Sequence, residues 1–63
     1  MRLNTKKLQK RMAELKLSNS KVADSVGITQ AYMSQIVNGL RNPNVDIAKR
    51  IASVLKCTVD DLL

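Results

Sequence analysis

NSKVADSVGITQAYMSQI, residues 19–36, is the stretch whose pattern decides the fold of this chain. It reads as two short amphipathic helices joined by a tight turn at Gly27. Val22, Ala23, Val26, Ile28, Met33 and Ile36 recur at helical spacing and point inward. That phase turns Gln30, Ala31, Tyr32 and Gln35 outward on the second helix of the pair. A polar helix held outward by a rigid corner, on a chain of formal net charge +6, fits the major groove of DNA.

The flanks extend the pattern. Upstream, Leu8, Met12 and Leu15 recur at i, i+4 and i+7 and predict a helix over 5–15. Lys6, Lys7, Lys10 and Arg11 lie on or beside its polar side. Ser18 suits the N-cap of a second helix, 18–26, and Gly27 suits the left-handed position that follows it. Thr29 caps a third helix, 29–38, which ends at Asn38–Gly39. Residues 39–44 form a loop in which Pro43 blocks helix continuation. Asn44 caps a fourth helix, 45–55, whose Ile47, Ala48, Ile51, Ala52 and Leu55 make an unbroken apolar stripe. Asp46 in its first turn and Lys56 at its end both suit the helix dipole. Thr58 caps a last short helix, 59–63. The expectation is one compact, all-α, five-helix domain over 1–63, without strand, repeat or linker.

Composition narrows the partners. Sixty-three residues allow one small domain. A chain of this size buries only about 60% of the surface it exposes when unfolded. Tyr32 is the one aromatic residue, so the core has to be built from Leu, Ile, Val, Met and Ala. Eleven Lys and Arg against five Asp and Glu favour nucleic acid or anionic lipid, although many small soluble proteins are merely basic. Cys57 is the single cysteine, which rules out an intrachain disulfide, and with no His a structural zinc site is excluded. No apolar run approaches ~18 residues, the length needed to span a membrane. MRLNTKKLQKRM lacks the apolar block of a signal peptide. These features point to a reducing cytoplasm and to no metal, cofactor or small-molecule ligand. An enzyme has no constellation to start from: no His, no paired carboxylate and no glycine-rich phosphate loop. RNA is disfavoured because a lone aromatic makes no stacking platform.

Several separated motifs now fall into one order: Leu17–Ser18, Val22–Ala23, Val26–Gly27–Ile28–Thr29, Met33–Ser34, Ile36, Asn38–Gly39, Arg41–Asn42–Pro43 and Val59–Asp60–Asp61–Leu62. In sequence and spacing the chain resembles the Cro/CI-type (XRE) helix-turn-helix family from about Leu8 to Leu62. The resemblance implies a lambda-repressor-like fold and a dimeric, sequence-specific DNA-binding regulator of phage or bacterial type. With no sensor domain in the sequence, it is similar to a minimal Cro-type repressor or to the DNA-binding domain of a longer one. Two departures stand out. Family members often pair an Arg in the first helix with a Glu just before the Asn–Gly; here those positions are Met12 and Val37. An ion pair replaced on both sides by apolar groups becomes a packing contact, so Met12 is expected to touch Val37. The third helix also carries no Lys or Arg.

In domains of this kind the first turn of the recognition helix meets base edges. The resemblance therefore gives Thr29, Gln30, Ala31, Tyr32 and Gln35 as candidate base-reading residues. Gln30 can pair bidentately with adenine N6 and N7, and Ala31 can touch a thymine methyl. Solvated helix surface is the alternative for Gln30 and Gln35. Tyr32 either meets a thymine methyl or a phosphate, or braces the helix from a partly buried position. Asn19 can meet a phosphate at the start of the second helix. Ser34, Asn38, Arg41 and Asn42 are candidates for the DNA backbone, with entry of Arg41 into a narrow A·T-rich minor groove as a second option. Asn38–Gly39 also reads as a plain helix C-cap. Lys10, Arg11 and Lys21 are candidate phosphate partners or simply solvated charge. Lys49, Arg50 and Lys56 are expected to face away from DNA.

One small domain has little surface for tight operator binding. The expected partner is a palindromic double-stranded operator, bound by a homodimer with half-sites about 34 Å apart. Cys57, Thr58, Val59 and Leu63 are the candidate seam. Closure of the core is the alternative there, with Val59 and Leu62 leaning to core and Leu63 to seam. A protein-interaction module of the same fold, such as an antitoxin holding a toxin, is the competing functional class.

Overall fold

Every α-helix starts at a side chain that replaces a missing backbone partner. The computed structural model describes residues 2–63. It has four α-helices: α1 Thr5–Glu14, α2 Asn19–Val26, α3 Gln30–Val37 and α4 Val45–Val54. Asn4, Ser18, Thr29 and Asn44 each accept the backbone N–H three residues on, at 3.1, 3.2, 3.1 and 2.8 Å. Such caps contribute about 1 kcal/mol each. Ser18, Thr29 and Asn44 are legible as caps from the sequence; Asn4 is a fourth that it leaves unmarked. The helices stop one residue short of several expected bounds because the caps themselves lie outside the helix.

The expected fifth helix over 59–63 is a single 3-10 turn, Asp60–Leu62, so the described residues form four α-helices and not five. Two local features shorten it. Thr58 and Asp61 cap each other, with the Thr58 N–H donating to Asp61 Oδ2 at 3.0 Å and the Asp61 N–H to Thr58 Oγ1 at 3.3 Å. The Leu62 carbonyl accepts the Asn4 N–H at 2.7 Å, which ties the turn to the segment before α1. So short a run tightens to bonds spanning three residues.

The core is aliphatic, as the composition requires. α2 packs against α3 and α4, while α1 packs against α3 and the closing turn. Leu8, Met12, Val22, Ala23, Val26, Met33, Ile36, Val37, Ala48, Ile51, Ala52, Leu55 and Leu62 are buried in one cluster, joined by Leu3. Met12 and Val37 are thus both members of the same core. No buried side chain is polar or charged among the described residues. Fully burying one of these larger aliphatic side chains stabilises by roughly 1.5–3 kcal/mol.

Two long-range ties close the periphery. Gln9 Nε2 donates to the Val37 carbonyl at 2.9 Å. Arg11 donates from Nε to the Leu55 carbonyl at 2.9 Å and from Nη2 to the Lys56 carbonyl at 3.2 Å. Arg11 therefore satisfies carbonyls left open at the end of α4 and sets a cation against the negative end of its dipole. Arg11→Ala is expected to lower unfolding stability by about 1 kcal/mol, after discounting for partial exposure, in urea titration.

Just past the C-caps of α1 and α4, Leu15 and Leu55, stands a lysine in the left-handed region, Lys16 at φ 55 and Lys56 at φ 57. The N–H groups of Lys16 and Leu17 reach back to the Ala13 and Met12 carbonyls at 3.1 and 2.9 Å, a Schellman-type ending that glycine fits without strain. Lys16→Gly is expected to raise stability by roughly 0.5–1 kcal/mol, the relief of a left-handed side chain less the entropy glycine adds to the unfolded state. Urea midpoints at constant m-value test this.

The Thr58 N–H, then the Thr58 hydroxyl, hold the Asp61 carboxyl below the usual aspartate range, with the Arg11 and Lys7 charges acting in the same sense. A depressed folded pKa contributes stability above the unfolded value, near ~3.9, and that stability is lost as pH falls through the folded value. The destabilisation by Asp61→Ala is thus expected to be complete near neutral pH and to shrink below about pH 4. A gap between variant and wild type that stays constant into strong acid would exclude any contribution from the carboxylate.

Candidate nucleic-acid interface

The α2–α3 corner is set by its backbone. Gly27 has φ 89 and ψ 31, a left-handed conformation in which side-chain-bearing residues are strained. In that geometry the N–H groups of Gly27 and Ile28 both reach the Ala23 carbonyl, at 2.8 and 3.0 Å. Nothing lies within 4 Å of where a Cβ at Gly27 would sit, so the requirement for glycine is one of backbone conformation and not of space. Two residues on, Thr29 Oγ1 accepts the Tyr32 N–H and opens α3.

α3 emerges from this corner with one face committed. Met33, Ile36 and Val37 are buried, while Gln30 and Ala31 are exposed and Tyr32, Ser34 and Gln35 are half-buried. Thr29 and Asn38 stand exposed at its two ends. The candidates Thr29, Gln30, Ala31 and Gln35 thus lie on or beside the outer side of α3. Its C-terminal carbonyl is held by Gln9 from α1. The end of α2 is held from α4, where Arg50 Nη1 donates to the Val26 carbonyl at 3.4 Å while its Nη2 pairs with Asp46 at 3.2 Å. Gln9 and Arg50 thus brace the corner from both sides, and neither role shows in the sequence pattern.

Asn19, half-buried, and Lys21, exposed, sit in the first turn of α2. Asn38, Arg41 and Asn42 come together with Arg2, Thr5 and Gly39 around a notch of about 200 Å³ beside the end of α3. The Arg41 guanidinium carbon lies 5.8 Å from the centroid of the Tyr32 ring, within range of a cation–π contact. Tyr32 is therefore partnered by Arg41, a pairing the sequence does not announce.

Lys10 and Arg11 stand elsewhere. They line a cleft of about 370 Å³ with Lys7, Glu14, Lys56, Cys57, Asp61 and Leu62, none of which belongs to α2 or α3. The Arg11 guanidinium is occupied by the α4 carbonyls and by Glu14 at 3.7 Å. Of the seam candidates, Cys57, Thr58 and Val59 line a further shallow cleft with residues of α4. Val59 packs on the core, Leu62 is buried, and Leu63 is 50% exposed. Burial, then the Asp61 charge, pushes the Cys57 thiol above its ordinary range against the pull of Arg11. Among the described residues no three acidic, Cys or His side chains gather into a metal site, and no helix is long and apolar enough to cross a membrane.

Comparison with known proteins adds to this geometry. A helix-turn-helix family model, HTH_3, matches residues 8–62. A search of curated proteins found no match. Among solved structures, the SinR protein/SinI protein complex is similar at a TM-score of 0.85 and 27% identity, covering 94% of this chain and 58% of that one. Apo-HppE aligns at 0.81 and 22% identity, covering 90% of this chain and 32% of that one. An HTH_3 family transcriptional regulator from Vibrio cholerae aligns at 0.79 and 24% identity, also covering 90% and 32%. The last two show the fold alone. The chain spans 58% or less of the length of each of these three structures. The family match runs from the first buried residue of α1 to the last buried leucine, and the chain belongs to the HTH_3 family of helix-turn-helix proteins, the XRE or Cro/CI type.

Proposed function

We propose that this chain is a repressor that binds a palindromic double-stranded operator as a homodimer, with α3 in the major groove. The observation that carries the reading is the division of α3: Met33, Ile36 and Val37 buried, Gln30 and Ala31 presented to solvent in its first turn. That first turn is where helix-turn-helix domains meet base edges. Gln30 is assigned to adenine and Ala31 to a thymine methyl, with Thr29, Tyr32 and Gln35 beside them. Asn19, Lys21, Ser34, Asn38, Arg41 and Asn42 are assigned to the sugar–phosphate backbone. Lys10 contributes general positive potential, and Arg11 is left out because its guanidinium is engaged by α4. The seam is assigned to Leu63 and the surface around Cys57, Thr58 and Val59. The setting that fits is a bacterial cytoplasm or nucleoid, including that of a phage-infected host.

A second reading has one observation behind it. The SinR structure was solved as a complex with the SinI protein, so a domain similar to this one occurs in a protein–protein complex. An antitoxin-like or other protein-binding role on the same fold is the alternative. Selection of binding sites from random duplex DNA separates the two. An enriched inverted repeat with half-sites about 34 Å apart supports the operator reading, and no enrichment at any salt concentration overturns it.

On the selected site, Gln30→Ala is expected to lose ~1–3 kcal/mol of discrimination at one base pair per half-site. An equal loss on selected and random duplexes, measured by fluorescence anisotropy, would remove Gln30 from base reading.

A further inference from the structure

Two surface clefts are lined by cations, and they differ in one respect. The cleft along α1 balances Lys7, Lys10, Arg11 and Lys56 with Glu14 and Asp61. The notch beside α3 has Arg2 and Arg41 and no carboxylate at all. Neither arginine has a salt-bridge partner among the described residues. Two guanidinium-bearing residues from distant parts of the sequence thus border a space of about 200 Å³ without a counter-charge. The rest of its lining includes the neutral polar residues Asn38, Asn42 and Thr5 beside Leu3, Ile36, Gly39 and Pro43. A concave site with excess positive charge and neutral donors suits a small tetrahedral anion, since guanidinium forks bind phosphate oxygens bidentately.

We propose that this notch seats a single phosphate of the DNA backbone, gripped jointly by Arg2 and Arg41, and that Tyr32 is the positioning residue that holds Arg41 ready. The inference rests on the operator reading above and adds to it a group, Arg2, from outside the helix-turn-helix corner. The notch adjoins α3 through Ile36 and Asn38, so a backbone crossing the end of that helix passes over it. Tyr32 is itself fixed by Thr29 at its N–H, and its ring lies under the Arg41 guanidinium. Holding a flexible arginine before binding reduces the entropy lost on contact. The arrangement places the missing cation of α3 next to that helix instead of on it.

The test is equilibrium binding of the whole chain to its selected duplex across about 50–200 mM salt. Each phosphate neutralised adds about 0.9 to the slope of log K against log salt. Arg2→Ala and Arg41→Ala are each expected to lower that slope, and the double variant by about 0.9 in total, so that its affinity falls roughly 3.5-fold less over the range than wild type. A slope unchanged in Arg2→Ala overturns the seat, and a double-variant change near ~1.8 replaces it with two separate contacts. Both arginines are exposed, so thermal unfolding is expected to stay at the wild-type midpoint. Tyr32→Phe keeps a ring under Arg41 and is expected to keep the wild-type salt slope, whatever the hydroxyl contributes to affinity. Tyr32→Leu is expected to lower the slope as Arg41→Ala does, and to lower it no further when combined with Arg41→Ala. A Tyr32→Leu fall in slope that persists undiminished in the Arg41→Ala background overturns its positioning role. Wild type that binds no duplex overturns the operator reading itself, a result distinct from wild type that binds while the arginine variants keep its slope.

Discussion

The structure turns on one carbonyl. Ala23 accepts hydrogen bonds from both Gly27 and Ile28, and it can do so only because Gly27 adopts a left-handed backbone. That pair of bonds stops α2, reverses the chain and starts α3 within three residues, with Thr29 capping the new helix. The direction of α3 is then a consequence of local geometry and not of distant packing. A reading helix has to present side chains to base edges within tenths of an ångström, so a stiff local corner is a better foundation than a flexible loop.

Packing turns that local corner into a stable surface. Met33 is fully buried, and Ile36 and Val37 nearly so, which fixes the rotation of α3 about its own axis. Gln9 and Arg50 then hold the end of α3 and the end of α2 from opposite helices. Met12 and Val37 are both buried in the same aliphatic core. In a chain this small a half-satisfied buried charge would cost several kcal/mol, comparable to a large part of its total stability. The core here avoids that risk by containing no buried polar side chain among the described residues.

Much of this was legible in the sequence, for identifiable reasons. Helical periodicity located α1 to α4 because each has an apolar stripe, and Ser18, Thr29 and Asn44 marked three of their starts. The last segment is the exception. Val59, Leu62 and Leu63 have helical spacing, but the Thr58–Asp61 box and the Asn4–Leu62 bond confine them to one 3-10 turn. Arg11 was equally opaque, since nothing in its neighbours tells that the open end of α4 lies alongside. Long-range ties such as Gln9 to Val37, Arg50 to Val26 and Arg41 over Tyr32 join residues far apart in sequence or across a loop. Periodicity carries no information about them.

The absence of Lys and Arg from α3 separates two energies that are often carried by the same side chains. Arginine on a recognition helix binds guanine and also draws the duplex by charge, so its loss changes affinity and discrimination together. Here the exposed side chains of α3 are neutral, and the cations flank it: Lys21 on α2 and Arg2 and Arg41 at the notch. On the proposed operator reading, charge would attract any duplex to the surface almost equally, and the difference between sequences would be left to hydrogen bonds and methyl contacts of residues such as Gln30 and Ala31. Those contacts are short-range and weakly screened, whereas phosphate contacts weaken steeply with salt. For such a division of labour, rising ionic strength lowers overall affinity while the ratio between right and wrong base pairs under α3 changes little.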